Sequence, residues 1–87
     1  MIEMIKVATN SSPSKVAGSL ATIIREQRVV EIQTIGAGAL NQAIKAIAIA
    51  RGFLVSSGID IVVIPSFREV MINQSEKTAI KLRIERR

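Results

Sequence analysis

The sequence predicts a two-layer α/β sandwich in which two helices cover one face of a four-stranded mixed sheet. Three observations lead to this fold. Short β-branched stretches alternate with two helical patterns in the order β-α-β-α-β-β. A short polar turn separates the last two strands, so they form a hairpin. The 87 residues are 48% hydrophobic and 22% charged, which is typical of one globular domain over residues 1–87.

A short strand at residues 4–8 is followed by a clear helix start. Ser12 suits the N-cap and Pro13 suits the first helical position. Apolar residues then recur at helical spacing as far as Gln27. Gly18 lies in the middle of this helix, where glycine costs up to about 1 kcal/mol relative to alanine. We therefore expect Gly18 to pack closely against a neighbouring backbone.

The second strand, residues 29–35, leads through a glycine-bearing turn into a helix over residues 39–50. Beyond the first turns this helix is apolar all round. Such a helix is normally buried on every side, which a two-layer domain of this size rarely achieves. We therefore expect a surface for self-association into a homodimer or a higher homo-oligomer. The expected interface residues are Ala46, Ile47, Ile49 and Ala50. The alternative is a helix that covers the sheet and leaves small alanines facing water.

The remaining residues predict the terminal hairpin. Residues 59–64 are almost continuously apolar, which indicates a buried central strand that Pro65 ends or distorts. Residues 80–85 alternate between apolar and charged side chains, the pattern of a strand with one buried face. The only two aromatic residues, Phe53 and Phe67, are expected in an otherwise aliphatic core.

Composition excludes several functions. The chain has no cysteine and no histidine, which removes disulfides, Cys/His metal sites and triads with a histidine base. The seven carboxylates are scattered, so we expect neither an enzyme nor a bound metal or other cofactor. No apolar run approaches the roughly 20 residues of a membrane span, and the N-terminus does not resemble a signal peptide. We expect a cytoplasmic protein without membrane contact.

The charge balance indicates an anionic partner. Twelve Lys and Arg against seven Asp and Glu give a net charge of +5. Nucleic acid, either DNA or RNA, is the commonest partner of a small basic domain. The alternative is that the basic surplus only keeps the surface soluble.

Two helix starts are the first candidate contact surface. Glycines before the second helix let backbone N–H groups face an anion, although the turn matches neither a dinucleotide fingerprint nor a P-loop. Both helices of this fold start at the same edge of the sheet, which brings the two starts together. The candidate residues are Ser11, Ser12, Lys15, Gly36, Gly38, Asn41, Gln42 and Lys45. The alternative is that the glycines only permit a tight turn and the serines only cap a helix.

The terminal hairpin is the second candidate contact surface. Its outward-facing basic residues can follow a phosphate backbone, or they can simply protect a solvated sheet edge. The absence of Tyr and Trp disfavours recognition by base stacking, so a binder that contacts the phosphate backbone fits better. The candidate residues here are Arg68, Lys77, Lys81 and Arg83.

Several segments resemble the stage V sporulation protein S family. The most specific is Gly-Ala-Gly-Ala-Leu-Asn-Gln-Ala at residues 36–43, and others lie at residues 11–13, 16–18, 31–33, 49–53 and 78–82. That family is similar in fold to the Alba chromatin proteins, which dimerise and bind DNA or RNA. The resemblance implies a small sporulation-related regulator that binds nucleic acid. The alternative is a protein-interaction or assembly module in spore development that binds no nucleic acid.

Overall fold

The computed structural model describes all 87 residues and contains six elements in the predicted order. Their bounds are β1 (Met4–Val7), α1 (Pro13–Gln27), β2 (Val29–Thr34), α2 (Ala37–Val55), β3 (Ile61–Ile72) and β4 (Ser75–Arg86). The strands form one sheet in the order β1-β2-β4-β3. β1 and β2 are parallel and the other pairs are antiparallel, so the predicted mixed sheet is confirmed.

Helix α1 begins and ends where the sequence predicts. The Ser12 Oγ accepts a hydrogen bond from the Lys15 N–H at 3.4 Å, and Pro13 is the first helical residue. Arg28 ends the helix in a left-handed conformation, with φ at 71°. The expectation for Gly18 is wrong, because no heavy atom of another element lies within 4 Å of the position that a Cβ would occupy there.

Helix α2 is longer than predicted at both ends. It begins directly after Gly36, whose φ of 90° is a left-handed backbone conformation that favours glycine. It continues past Gly52 to Val55, because Leu54 is fully buried in the core and holds the last turn in place. Tertiary packing thus outweighs the local helix-stop signal at residues 51–52.

The core lies between the two helices and one face of the sheet. It is aliphatic, as predicted, and its fully buried large side chains come from α1, α2, β2 and β4. The alanines of α2 that belong to this core let the helix approach its neighbours closely. The opposite face of the sheet, here called the open face, carries no helix. Side chains alternate along β4, so Leu82 and Ile84 enter the core while Lys81 and Arg83 lie on the open face.

β3 is an edge strand, so its predicted central position is wrong. β4 takes the central place because it pairs with β2 on one side and with β3 on the other. Only Ile61 of β3 is buried, and Ile64 is 49% exposed. The predicted core positions of the aromatic residues are also wrong, since Phe67 is 80% exposed and Phe53 is 45% exposed.

Pro65 lies within β3 and does not end it. Residues 73 and 74 form a two-residue turn, in which the flanking residues 72 and 75 face each other. In such a hairpin the flanking pair exchanges hydrogen bonds, so the odd-numbered residues of β3 have their backbone groups on the outer edge. The Pro65 nitrogen therefore faces the outer edge of β3, where no neighbouring strand requires a backbone N–H donor.

The terminal hairpin extends well beyond the rest of the sheet. β2 pairs with β4 only up to the pair Thr34–Ile80, while β3 and β4 continue to their turn. Residues 68–79 therefore form a two-stranded ribbon, here called the arm. The arm projects from the edge where β1 and β2 end and both helices begin, and it contributes to a longest molecular dimension of 43 Å.

Candidate nucleic-acid interface

The two helix starts meet at one edge of the sheet, as predicted. Because β1 and β2 are parallel, each leads into its helix at the same edge. The Gln42 Nε2 donates a hydrogen bond to the Ser11 carbonyl oxygen at 3.0 Å. A Cβ on Gly38 would lie 2.9 Å from the Thr9 Oγ1, so a glycine there lets the two starts approach closely. We call this region the helix-start surface, formed by Ser11, Ser12, Lys15, Gly36, Gly38, Asn41, Gln42 and Lys45.

The helix-start surface carries positive charge that the protein itself does not neutralise. Lys15 and Lys45 are exposed and neither forms an ion pair with a carboxylate. Neither helix has an acidic residue in its first turn. The positive end of the α1 dipole therefore adds to the charge of Lys15 in its first turn, while Lys45 lies in the third turn of α2.

The start of α2 leaves backbone donors available. Gly36 occupies the N-cap position and provides no side-chain acceptor for the first-turn N–H groups. At the start of α1, by contrast, both serine hydroxyls already accept hydrogen bonds. The Ser11 Oγ accepts from the Ala8 N–H at 2.9 Å, and the Ser12 Oγ caps α1. Both serines thus have a structural role, and α2 offers the freer set of backbone donors for an anion.

The candidate basic residues of the hairpin lie on the face of the sheet opposite the helices. All four basic residues of the second candidate surface project from the open face, away from the helices. Arg68 and Lys77 lie on the arm, are exposed and form no ion pair. Lys81 and Arg83 lie over the sheet and both contact Glu31, at 3.5 Å and 3.9 Å. The structure thus places two basic surfaces on opposite sides of one edge.

The arm has two different faces. Alternation along its strands places the basic residues Arg68 and Lys77 on the side of the open face. The opposite side carries Glu69 and Glu76 together with the exposed apolar residues Phe67, at the arm's base, and Met71. Sequence reasoning missed this second side because Phe67 was expected in the core.

Most of the expected self-association residues are not on the surface of the protomer. Ala46, Ile47 and Ala50 are buried in the protomer's own core, and Ile49 is half-buried. Packing inside the protomer therefore already buries much of the apolar surface of α2. The apolar surface that α2 does leave open includes Ile44, which is 48% exposed.

No group of three or more acidic, cysteine or histidine side chains is arranged to hold a metal ion. Neither helix is both long enough and apolar enough to cross a membrane. The largest concave feature is an open groove between β1 and α1, lined in part by Lys15, Val16 and Ile23.

Comparison with known proteins identifies the family. The model of the stage V sporulation protein S family matches residues 3–87. The chain belongs to the stage V sporulation protein S family. A solved structure, Alba from Thermoplasma volcanium, superposes on this chain with a TM-score of 0.66. The match covers 97% of this chain and 100% of the other at 13% identity, which shows a shared fold.

Family membership confirms the resemblance seen in the sequence, and the Alba match confirms the predicted fold. This is therefore a small sporulation-related protein with an Alba-like fold. The segment that carries the family resemblance most specifically, residues 36–43, forms the turn and the first two turns of α2. In this member of the family, that segment is the centre of the helix-start surface.

Proposed function

We propose that this protein is a non-enzymatic cytoplasmic regulator that binds DNA or RNA through phosphate contacts as a homodimer. One observation carries the proposal. Two helix starts touch at one sheet edge, and Lys15 and Lys45 there have no carboxylate partner. Helix N-termini with nearby free lysines are well suited to phosphate oxygens. The Alba-like fold is compatible with this function.

The proposed phosphate contacts divide between the two surfaces. The first-turn N–H groups of α2 and the lysines of the helix-start surface would bind one stretch of backbone. The arm would extend the contact through Arg68 and Lys77. Each of its two strands continues for five residues past the end of β2, a length of about 17 Å. The other two candidate residues of the hairpin, Lys81 and Arg83, lie further along the open face, where both contact Glu31. Phosphate contacts carry no sequence information, so we expect weak sequence preference.

The proposed dimer uses a different surface from the nucleic acid. An isolated two-stranded ribbon is marginally stable in water, and the helix side of this hairpin exposes Phe67 and Met71. On α2, Ile44 and Val55 are also exposed. A second copy that packs against these four side chains would bury the apolar surface and stabilise the arm.

A second candidate function follows from the same exposed side chains. A surface with Phe67 80% exposed and Met71 64% exposed also fits another protein in spore development. In that case the chain would act as an interaction or assembly module and would bind no nucleic acid.

Titration of the purified protein distinguishes the two functions. Labelled duplex DNA, single-stranded DNA and RNA are each titrated at low and moderate salt, and anisotropy is followed. Binding that weakens steeply with salt is expected, because each phosphate contact releases counterions. No binding to any of the three at low salt would contradict the proposal and favour the interaction module.

A further inference from the structure

Glu31 occupies the centre of the open face. It lies in the middle of β2, and only 12% of its side chain is exposed. Its Oε2 is 3.5 Å from the Lys81 Nζ and 3.9 Å from the Arg83 Nη1. Arg83 is its direct cross-strand partner, and Lys81 lies two residues away from Arg83 on the same face of β4. A single carboxylate thus contacts two of the four basic residues that the hairpin presents on the open face.

The other charged residues of the open face show how the Glu31 carboxylate affects the positive charge there. Glu85 is the only other acidic residue that projects from the same face of β2 and β4, and it contacts Arg83 at 3.7 Å. Without the charge of Glu31, Lys81 and Arg83 would continue the basic row that Lys77 begins on the arm. That row would run along β4 and cross the sheet.

We infer that Glu31 acts as an internal substitute for a phosphate, keeping Lys81 and Arg83 from nucleic acid and confining binding to the helix-start surface and the arm. The inference rests on the proposed function. A carboxylate that its strand already places beside both cations, and that is mostly shielded from water, competes with a mobile phosphate for them. To release them, the protein would have to leave a largely buried carboxylate unpaired, which is unfavourable.

The variant Glu31→Gln tests the inference, because glutamine keeps the shape and removes the charge. Glu26→Gln is the matched control, since Glu26 is exposed on α1, forms no ion pair and loses the same charge. Duplex DNA binding is measured by anisotropy over a salt series. At low salt we expect Glu31→Gln to bind about tenfold more tightly than Glu26→Gln, with a slope of log affinity against log salt that is steeper by about 1–2.

Equal affinity and slope for the two variants would overturn the inference. The variant Lys81→Gln provides an independent test. With Glu31 present we expect it to weaken binding by less than about threefold, and in the Glu31→Gln background it should remove about half of the gain. A tenfold loss with Glu31 present would also overturn the inference. Circular dichroism establishes that each variant is folded.

The proposed function and the inference fail in different ways. Binding by the wild type together with no difference between Glu31→Gln and Glu26→Gln overturns only the inference. Binding by Glu31→Gln alone would contradict the proposed function of the wild type and support the role of Glu31. Absence of binding by all of the proteins, with circular dichroism showing them folded, would overturn both.

Discussion

The glycines of the two helices differ in what surrounds them. At Gly18 the space for a Cβ is empty, whereas Gly36 has a φ of 90° that strains any other residue. We predict that Gly18→Ala raises the free energy of unfolding by about 0.5–1 kcal/mol. Gly36→Ala should lower it by about 1–3 kcal/mol. Urea unfolding measures both. A loss of stability for Gly18→Ala would contradict this and indicate a contact at Gly18 outside the protomer.

Asp60 makes stability depend on pH. Its carboxylate accepts hydrogen bonds from the Arg51 Nε at 2.9 Å, the Ile61 N–H at 2.9 Å and the Arg87 Nη1 at 3.2 Å. The hydrogen bond from Arg51 and then that from Ile61 lower the pKa of Asp60 below its ordinary value of 3.8. The folded state thus favours the ionised carboxylate. Its contribution is present above pH 3.8 and is lost as the pH falls through the folded pKa.

We therefore predict that Asp60→Asn has a lower Tm than the wild type at neutral pH. The difference should shrink as the wild-type carboxylate becomes protonated, since both proteins are then uncharged at this position. Thermal unfolding from neutral pH down to about pH 2.5 measures the effect. A Tm difference that stays constant over this range would contradict the role of the ionised carboxylate.

At the scale of the elements, local pattern predicts some features and longer-range pairing decides others. The alternation of β4 and the cap of α1 are local, and both predictions are correct. The apolar run of β3 is typical of a central strand, yet the order of strands depends on which one pairs with β2. The meeting of the helix starts follows from element order. The ion pairs of Glu31 could not be predicted because they require the register of β2 against β4.

The arm should depend on a second copy. We predict that the double variant Phe67→Ser, Met71→Ser is a monomer at concentrations where the wild type is a dimer, because it removes apolar side chains from the proposed interface. Sedimentation equilibrium measures the difference. Ile72→Ser is the control, since Ile72 is 42% exposed on the other face of the arm. The interface is wrong if the wild type is a monomer or if the double variant remains a dimer.

Across the whole molecule, the basic residues have different surroundings at the two edges. At the edge opposite the helix starts, Arg51 and Arg87 contact Asp60. Nearby, the Arg25 Nη2 donates to the Phe53 carbonyl oxygen and the Arg86 Nη2 donates to the Arg25 carbonyl oxygen. These arginines bind the protein itself and stabilise the ends of its elements. Free lysines, by contrast, face outward at the helix-start surface, so net charge alone does not describe how the molecule would meet a polyanion.

The salt dependence of duplex DNA binding tests the central claim most directly. Anisotropy titrations compare the wild type with Lys15→Gln, Lys45→Gln and with Arg28→Gln, Arg87→Gln, a control double variant at the opposite edge in which glutamine places no new carboxylate beside Asp60. We predict that the first loses at least about tenfold in affinity and that its log–log salt slope flattens by about 2, from two lost phosphate contacts. The double variant at the opposite edge should keep most of its affinity and most of its salt slope. Equal losses in the two variants, or an unchanged slope for the first, would contradict phosphate binding at the helix-start surface.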